Sequence, residues 1–276
     1  MKNQKNIIIV NTKGGASKST VAMQVIAPYF LGKEQEVELI ELDNQNQDAK
    51  IFSKSKIKTK QINVDANAKD LNQTIRDLFL GEDKNNKVMD IGGNATTSNF
   101  LQSLKSTHMY NMVDLFVVPM SGGSQDLKNA KDTLQMILVM NSNANVLFAL
   151  SRVRNPKRVQ FQYGDFLQDE KLKKYPYIIL PESDCIDLSR KLKKTVYELA
   201  QDEQEKENIN QKLLEAFNKN DKNSIYSYSL ILEILEDSEN YKIEVIDVAH
   251  QVLDEVLNGK KWWDNYKWGK KNNWWA

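Results

Sequence analysis

A chain of 276 residues, 41% of them hydrophobic, is long enough for one large α/β domain or two small ones and apolar enough for a real core, which excludes wholesale disorder. Its 38 Lys and Arg against 37 Asp and Glu leave a net charge of +1, so any attraction for nucleic acid must come from local patches. One cysteine, Cys185, and two histidines, His108 and His250, exclude an internal disulfide and a thiolate metal cage and suit a reducing compartment.

The chain opens on a polar stretch, Met1 to Asn6, followed by only four strongly apolar residues, Ile7 to Val10. That run is too short for the core of a signal peptide, and nothing in the sequence approaches the roughly 20 apolar residues of a membrane span. The expectation is a soluble, cytoplasmic protein, associated at most with the nucleoid or the inner face of a membrane. Ile7 to Val10 reads as a buried strand. It runs into Asn11-Thr12-Lys13-Gly14-Gly15-Ala16-Ser17-Lys18-Ser19-Thr20 and then a predicted helix, Lys18 to Leu31. Strand, glycine-rich loop and helix are the order that phosphate binding needs: glycines let backbone N–H groups turn inward, and the helix N-terminus adds the positive end of its dipole. In such a loop Lys18 reaches the β and γ phosphates and the Ser19 hydroxyl ligates Mg²⁺. The strict G-x-x-x-x-G-K-[ST] pattern fails at both glycine positions, which hold Thr12 and Ser17. The match is to K-G-G-x-x-K-[ST].

A second strand, Val37 to Glu41, ends in Glu41-Leu42-Asp43-Asn44-Gln45. A carboxylate at such a strand end, beside a phosphate loop, can accept a hydrogen bond from an attacking water. After a helix at Ala68 to Leu80, a third strand, Lys87 to Asp90, leads into Ile91-Gly92-Gly93. There Asp90 is placed to hold Mg²⁺ through water, and the glycine pair supplies a turn. Strand Leu115 to Val118 with Pro119, helix Gln125 to Met140, strand Val146 to Leu150 with Ser151-Arg152, helix Val159 to Leu167, strand Tyr177 to Leu180 with Pro181, and helix Ile186 to Ala200 complete the alternation. Short apolar strands separated by amphipathic helices predict an α/β fold, a doubly wound and mostly parallel sheet flanked by helices.

From Gln201 onward strand signals cease. Asp202 to Asp221 is charged, and Ile225 to Leu235 and Ile243 to Leu257 carry helical periodicity. A core over 1–200, a helical extension over 201–258 packed on that core, and a tail over 259–276 are expected. Residues 201–237 read equally as an inserted helical hairpin or as surface helices over a sheet edge.

In the K-G-G-x-x-K-[ST] loop, the Asp43 strand end and the Asp90-Ile91-Gly92-Gly93 segment, the sequence resembles the deviant Walker-A P-loop ATPases of the ParA/MinD family, over roughly residues 6–200 in colinear order. The resemblance implies an ATP-dependent dimerising switch with ATP and Mg²⁺ as cofactors, used in plasmid or chromosome partition or in positioning a cellular complex, with weak hydrolysis stimulated by a ParB-like or other partner. It gives Lys13 the family's signature-lysine role, crossing a nucleotide-sandwich homodimer to the other subunit's phosphates. Asp43 takes the water-orienting role, Gly14, Gly15, Ala16, Ser17, Lys18, Ser19 and Thr20 cradle the nucleotide, Ser19 and Asp90 serve the metal, and Arg152 and Pro181 fall where relatives meet the base. The departures are Ser17, where relatives carry Gly, Glu41 in place of Asp and Asn44 in place of Pro. Ser17 and Glu41 support an alternative, a degenerate nucleotide-binding adaptor with little ATPase activity, for example in conjugation or secretion machinery. Iron–sulfur relatives are excluded by the single cysteine.

Two basic clusters, Arg152, Arg154, Lys157 and Arg158, and Arg190, Lys191, Lys193 and Lys194, are candidate contacts for non-specific DNA, or solvated faces. All five tryptophans, Trp262, Trp263, Trp268, Trp274 and Trp275, lie in the tail with Lys260, Lys261, Lys267, Lys270 and Lys271. That composition suits a lipid headgroup layer, single-stranded bases or a partner's pocket, and equally suits indoles folded onto the chain's own surface.

Overall fold

The computed structural model describes residues 4–43, 48–63 and 68–259. The elements run β1 (Asn6–Ile9), α1 (Lys18–Val21) continuing through a π turn (Ala22–Ile26) into α2 (Ala27–Leu31), β2 (Val37–Leu42), β3 (Lys58–Ile62), α3 (Ala68–Leu80), β4 (Asn86–Ile91) and α4 (Ala95–Ser106). After these come β5 (Leu115–Met120), α5 (Ser124–Met140), β6 (Val146–Val153), α6 (Val159–Gln168), β7 (Tyr177–Pro181), α7 (Asp184–Leu192) and α8 (Val196–Leu199). The last are α9 (Glu203–Asn218), α10 (Lys222–Tyr241), a second π turn (Lys242–Ile246) and α11 (Asp247–Leu257).

The seven strands form one sheet in the order β3-β2-β4-β1-β5-β6-β7, and every pairing is parallel. Alternation along the central strands explains why both faces are covered. Ile7 and Ile9 of β1 join Val21, Val25, Ile26, Val88, Val117 and Leu253 on one side, whereas Ile8 and Val10 join Ile75, Met89, Phe100, Phe116 and Ile137 on the other. Such strands read in sequence as continuous apolar runs.

Three expectations change. Strand β3, whose sequence KTKQI is largely exposed, shows no apolar pattern because it is a sheet edge carried by its backbone pairing to β2. Helix α4 forms from a Thr- and Ser-rich segment of modest propensity because Phe100, Leu101 and Leu104 bury against the sheet. The single helix expected over Ile186 to Ala200 is two: Lys193 adopts φ 64° and closes α7, and Thr195 starts α8 with a capping box shared with Glu198.

Helices α10 and α11 run without a break through the second π turn over residues 222–257, roughly 54 Å at 1.5 Å per residue. Its C-terminal part seats Ala249 and Leu253 in the core beside the P-loop helix. Helix α9 packs chiefly on α10. Among the described residues no helix is long and apolar enough to cross a membrane. Asn44, Gln45 and the tail residues from Lys260, with all five tryptophans, lie outside the described residues.

Candidate functional site

The loop between β1 and α1 lies at the C-terminal end of the sheet, in the crevice where parallel α/β sheets hold their ligands. Asn11, fully buried, fixes its start: its Nδ2 donates to the Pro119 carbonyl at 2.6 Å and its Oδ1 accepts from the Lys13 amide at 2.9 Å. The Thr12 amide donates to Thr133 Oγ1 of α5 at 3.2 Å. Gly15 has φ 73°, and Ser17 has φ 64° and ψ 24°. Ser17 therefore holds the left-handed conformation that glycine adopts freely, with a Cβ in place. It precedes α1 without a side-chain cap bond, which leaves the first amides of that helix open to an anion. Its own Oγ is buried with no hydrogen-bond partner among the described residues.

Lys18 is buried at the mouth of the helix, and its Nζ donates to the Lys13 carbonyl at 3.1 Å. Burial lowers its pKa, opposed by the charges of Asp90 and Asp43. Asp90, at the end of β4, is fully enclosed. Burial raises its carboxyl to about 7, the Ser19 hydrogen bond and Lys18 oppose the rise, and Glu41 and Asp43 add to it. Its Oδ1 has no partner among the described residues.

Two glycines let the loop after β4 close on its neighbours, Gly93 on the P-loop and Gly92 on the end of β2. A Cβ on Gly93 would lie 2.8 Å from the Gly14 Cα and N, and one on Gly92 would lie 3.0 Å from the Asp43 Cγ. The Asn94 amide completes the junction by donating to the Thr12 carbonyl at 2.7 Å. The structure thus brings Lys13, Gly14, Gly15, Ser17, Lys18, Ser19, Asp43 and Asp90 into one neighbourhood, with Glu41 buried beside Asp90.

Lys13 makes a contact that sequence reasoning did not find. Its Nζ is ion-paired and hydrogen-bonded with Asp126 in the first turn of α5, a carboxylate 1% exposed that also accepts from the Ser121 amide at 3.0 Å. The Lys13 side chain remains 38% exposed. The only signal for Asp126 was an acid in the first turn of a helix, a common position for reasons of helix dipole alone.

Arg152 and Pro181 lie at the C-terminal ends of neighbouring strands, where a bulge between Ser151 and Val153 leaves Arg152 unpaired with φ 54°. Ser151 Oγ, buried there, has no partner among the described residues. The second basic cluster is not a single outward face. Arg190 lines a pocket with Ser19, Glu41, Asp90 and Gln24, and Lys194 is ion-paired with Asp202.

Unpartnered Asp90 Oδ1 and Ser17 Oγ, the buried Lys18 ammonium and uncapped helix amides form a donor and acceptor set that fits a polyphosphate with a hard cation. Among the described residues no three or more His, Cys, Asp or Glu cluster as a metal cage. A cation here would therefore draw most of its ligands from phosphate oxygens, Ser19 and water.

No family model matches the chain, and no curated protein does. Solved structures do match in fold. The chain resembles the MinD cell division protein of Aquifex aeolicus with TM-score 0.50 at 15% identity, over 68% of this chain and 86% of that one. Also similar are a Cyanothece McdA variant in its ATP complex, TM-score 0.49 at 13% identity over 72% and 91% of the two chains, and a plasmid partition protein of Borrelia burgdorferi bound to AMPPNP, TM-score 0.47 at 15% identity over 68% and 90%. The chain thus shares the fold of the Aquifex aeolicus MinD protein: an all-parallel seven-stranded sheet flanked by helices, with a C-terminal helix.

Proposed function

We propose that this chain is a ParA-like, ATP-dependent dimerising switch that acts in plasmid or chromosome partition or in the spatial positioning of a cellular complex. The observation that carries the reading is Ser17. Despite its Cβ it keeps the left-handed backbone that turns the loop into an uncapped helix N-terminus, which supports a loop still open to phosphate.

ATP would be held by Gly14, Gly15, Ala16, Ser17, Lys18, Ser19 and Thr20, with Arg152 and Pro181 at the base. Mg²⁺ would be held by Ser19 and, through water, by Asp90. The bound metal supplies charge neutralisation on the β and γ phosphates. Of the chain's own groups, buried Lys18 places a cation on those phosphates, and Asp43 accepts a hydrogen bond from the attacking water and orients it. Lys13, released from Asp126, reaches the phosphates bound by a second copy. DNA, through Arg152, Arg154, Lys157 and Arg158, is the surface that the closed dimer would hold, and a ParB-like partner would stimulate slow hydrolysis.

Light scattering of the purified chain tests it. Excess Mg-ATP should double the mass, and Lys13→Ala should abolish that doubling. A chain without affinity for Mg-ATP at millimolar concentration would be the degenerate adaptor instead.

A further inference from the structure

The end of β6, the loop that follows it and the start of α6 carry a combination that, apart from Arg152 at the proposed base site, neither the core nor the nucleotide site uses. Between Arg152 and Phe161 the sequence RVRNPKRVQF holds Arg152, Arg154, Lys157 and Arg158 and no acid. All four cations are exposed, and none has an ion-pair partner among the described residues, in contrast to Lys13, Lys131, Lys194 and Lys206. Three positions past Arg158, in the first turn of α6, Phe161 leaves 85% of its area in water, the most exposed large hydrophobic residue among the described residues.

The segment is also rigid by construction. Asn155 accepts from the Lys157 amide at 3.0 Å, and Gln162 donates to the Arg152 carbonyl at 2.8 Å while accepting from the Arg154 amide at 3.2 Å. Cations on a loop pinned in this way lose little freedom when they meet a ligand. Gly122, at φ 88°, lies against Gln162, and Ser121 joins the same patch to the Gly15 carbonyl of the P-loop.

We infer that this patch binds single-stranded nucleic acid, its cations tracking consecutive phosphates while Phe161 stacks on an unpaired base. The inference rests on the proposed DNA contact of these cations and deepens it by naming the strand state. Duplex DNA offers phosphates but hides its base faces, so it would leave the phenyl ring idle. A single strand uses both, because any base presents a π face. An anionic bilayer would also attract the cations, but one phenyl ring buries too little apolar area for interfacial insertion, which needs a broad apolar face.

Fluorescence anisotropy with labelled oligothymidine and with a duplex of equal length, on the full chain, tests the assignment. Wild type should prefer the single strand, and Phe161→Ala should weaken that binding roughly tenfold while leaving duplex affinity unchanged. Phe161→Trp should retain it. Lys157→Ala with Arg158→Ala should flatten the salt dependence of single-strand binding by roughly 0.7 in log–log slope per lost phosphate contact. Equal affinity of Phe161→Ala and wild type would overturn the inference. So would equal affinity for the two strand states, or binding to phosphatidylglycerol vesicles with none to oligothymidine. Mg-ATP-dependent mass is read on the same variants. Phe161→Ala that loses the dimer but keeps oligothymidine would place the ring between two copies and overturn the stacking role, whereas loss of dimerisation in wild type alone would strike the switch and leave the strand preference standing.

Discussion

Ser17 and Lys13 carry the most specific consequences at the scale of single residues. A serine at φ 64° stores about 1 kcal/mol or more of backbone strain relative to glycine, and its buried hydroxyl lacks a partner among the described residues. Ser17→Gly removes both, at the expense of a more flexible unfolded chain. The variant should gain about 1 kcal/mol in urea unfolding and bind Mg-ATP at least as tightly, by titration calorimetry. A loss of stability would mean that the unfolded-chain entropy, or a partner of the hydroxyl in solution, outweighs the strain relieved. Lys13 has two separable jobs. Its pairing with Asp126, 1% exposed, means that Lys13→Ala leaves a buried carboxylate still accepting from the Ser121 amide but without its counter-charge. Because the lysine is partly solvated, the expected destabilisation is about 1–2 kcal/mol, below the range for a fully buried pair. Adding Asp126→Asn should restore most of that stability without restoring Mg-ATP-dependent dimerisation, a coupling read from a double-mutant cycle. Recovery of the dimer in the double variant would mean that Lys13 acts only within its own chain.

Elements explain both what the sequence disclosed and what it withheld. The six apolar strands were legible because five are buried almost throughout and β7, at the other edge, still buries Ile178 and Leu180, and the positions of the loop, Asp43 and Asp90 were legible because each is defined by its neighbours in sequence at a strand end. Strand β3 was silent because an edge strand of Lys, Thr and Gln is specified by its backbone partner, and Asp126 because its role depends on α5 meeting the loop 113 positions away. The join between the P-loop helix and α11 was equally hidden. In the π turn that continues α1, the Val25 carbonyl accepts from His250 Nε2 at 2.9 Å. Burial pushes the imidazole down to about 4, with the Val25 carbonyl, Asp247 and Asp254 raising it and Lys242 lowering it further. The native state thus resists a proton that the unfolded chain accepts near its ordinary pKa. Stability from this join is fully present above about pH 6.5 and lost as pH falls toward 4. Unfolding free energies from urea melts across that window should fall further for wild type than for His250→Gln, by about 2 kcal/mol. Parallel curves would remove His250 from the pH response.

At the scale of the whole molecule, burial divides the chain unevenly. The central strands β1, β4 and β5 are almost entirely excluded from water, whereas Leu214, Phe217, Tyr226 and Leu230 of the α9–α10 hairpin stay 62%, 53%, 72% and 42% exposed. Helix α9 leans chiefly on α10, and the long helix first becomes fully buried at Leu235, where it meets Leu188 and Leu199. Within α9 and the first three turns of α10 the buried residues are Ile209 and Ala216 alone, so opening that stretch uncovers few apolar side chains and its amides should exchange through local opening rather than global unfolding. Hydrogen exchange followed by mass spectrometry should show fast exchange over residues 203–232 and slow exchange from about Leu235 through α11, with the boundary inside one continuous helix. Protection of α9 equal to that of β1 would mean that the exposed hairpin face is covered in solution.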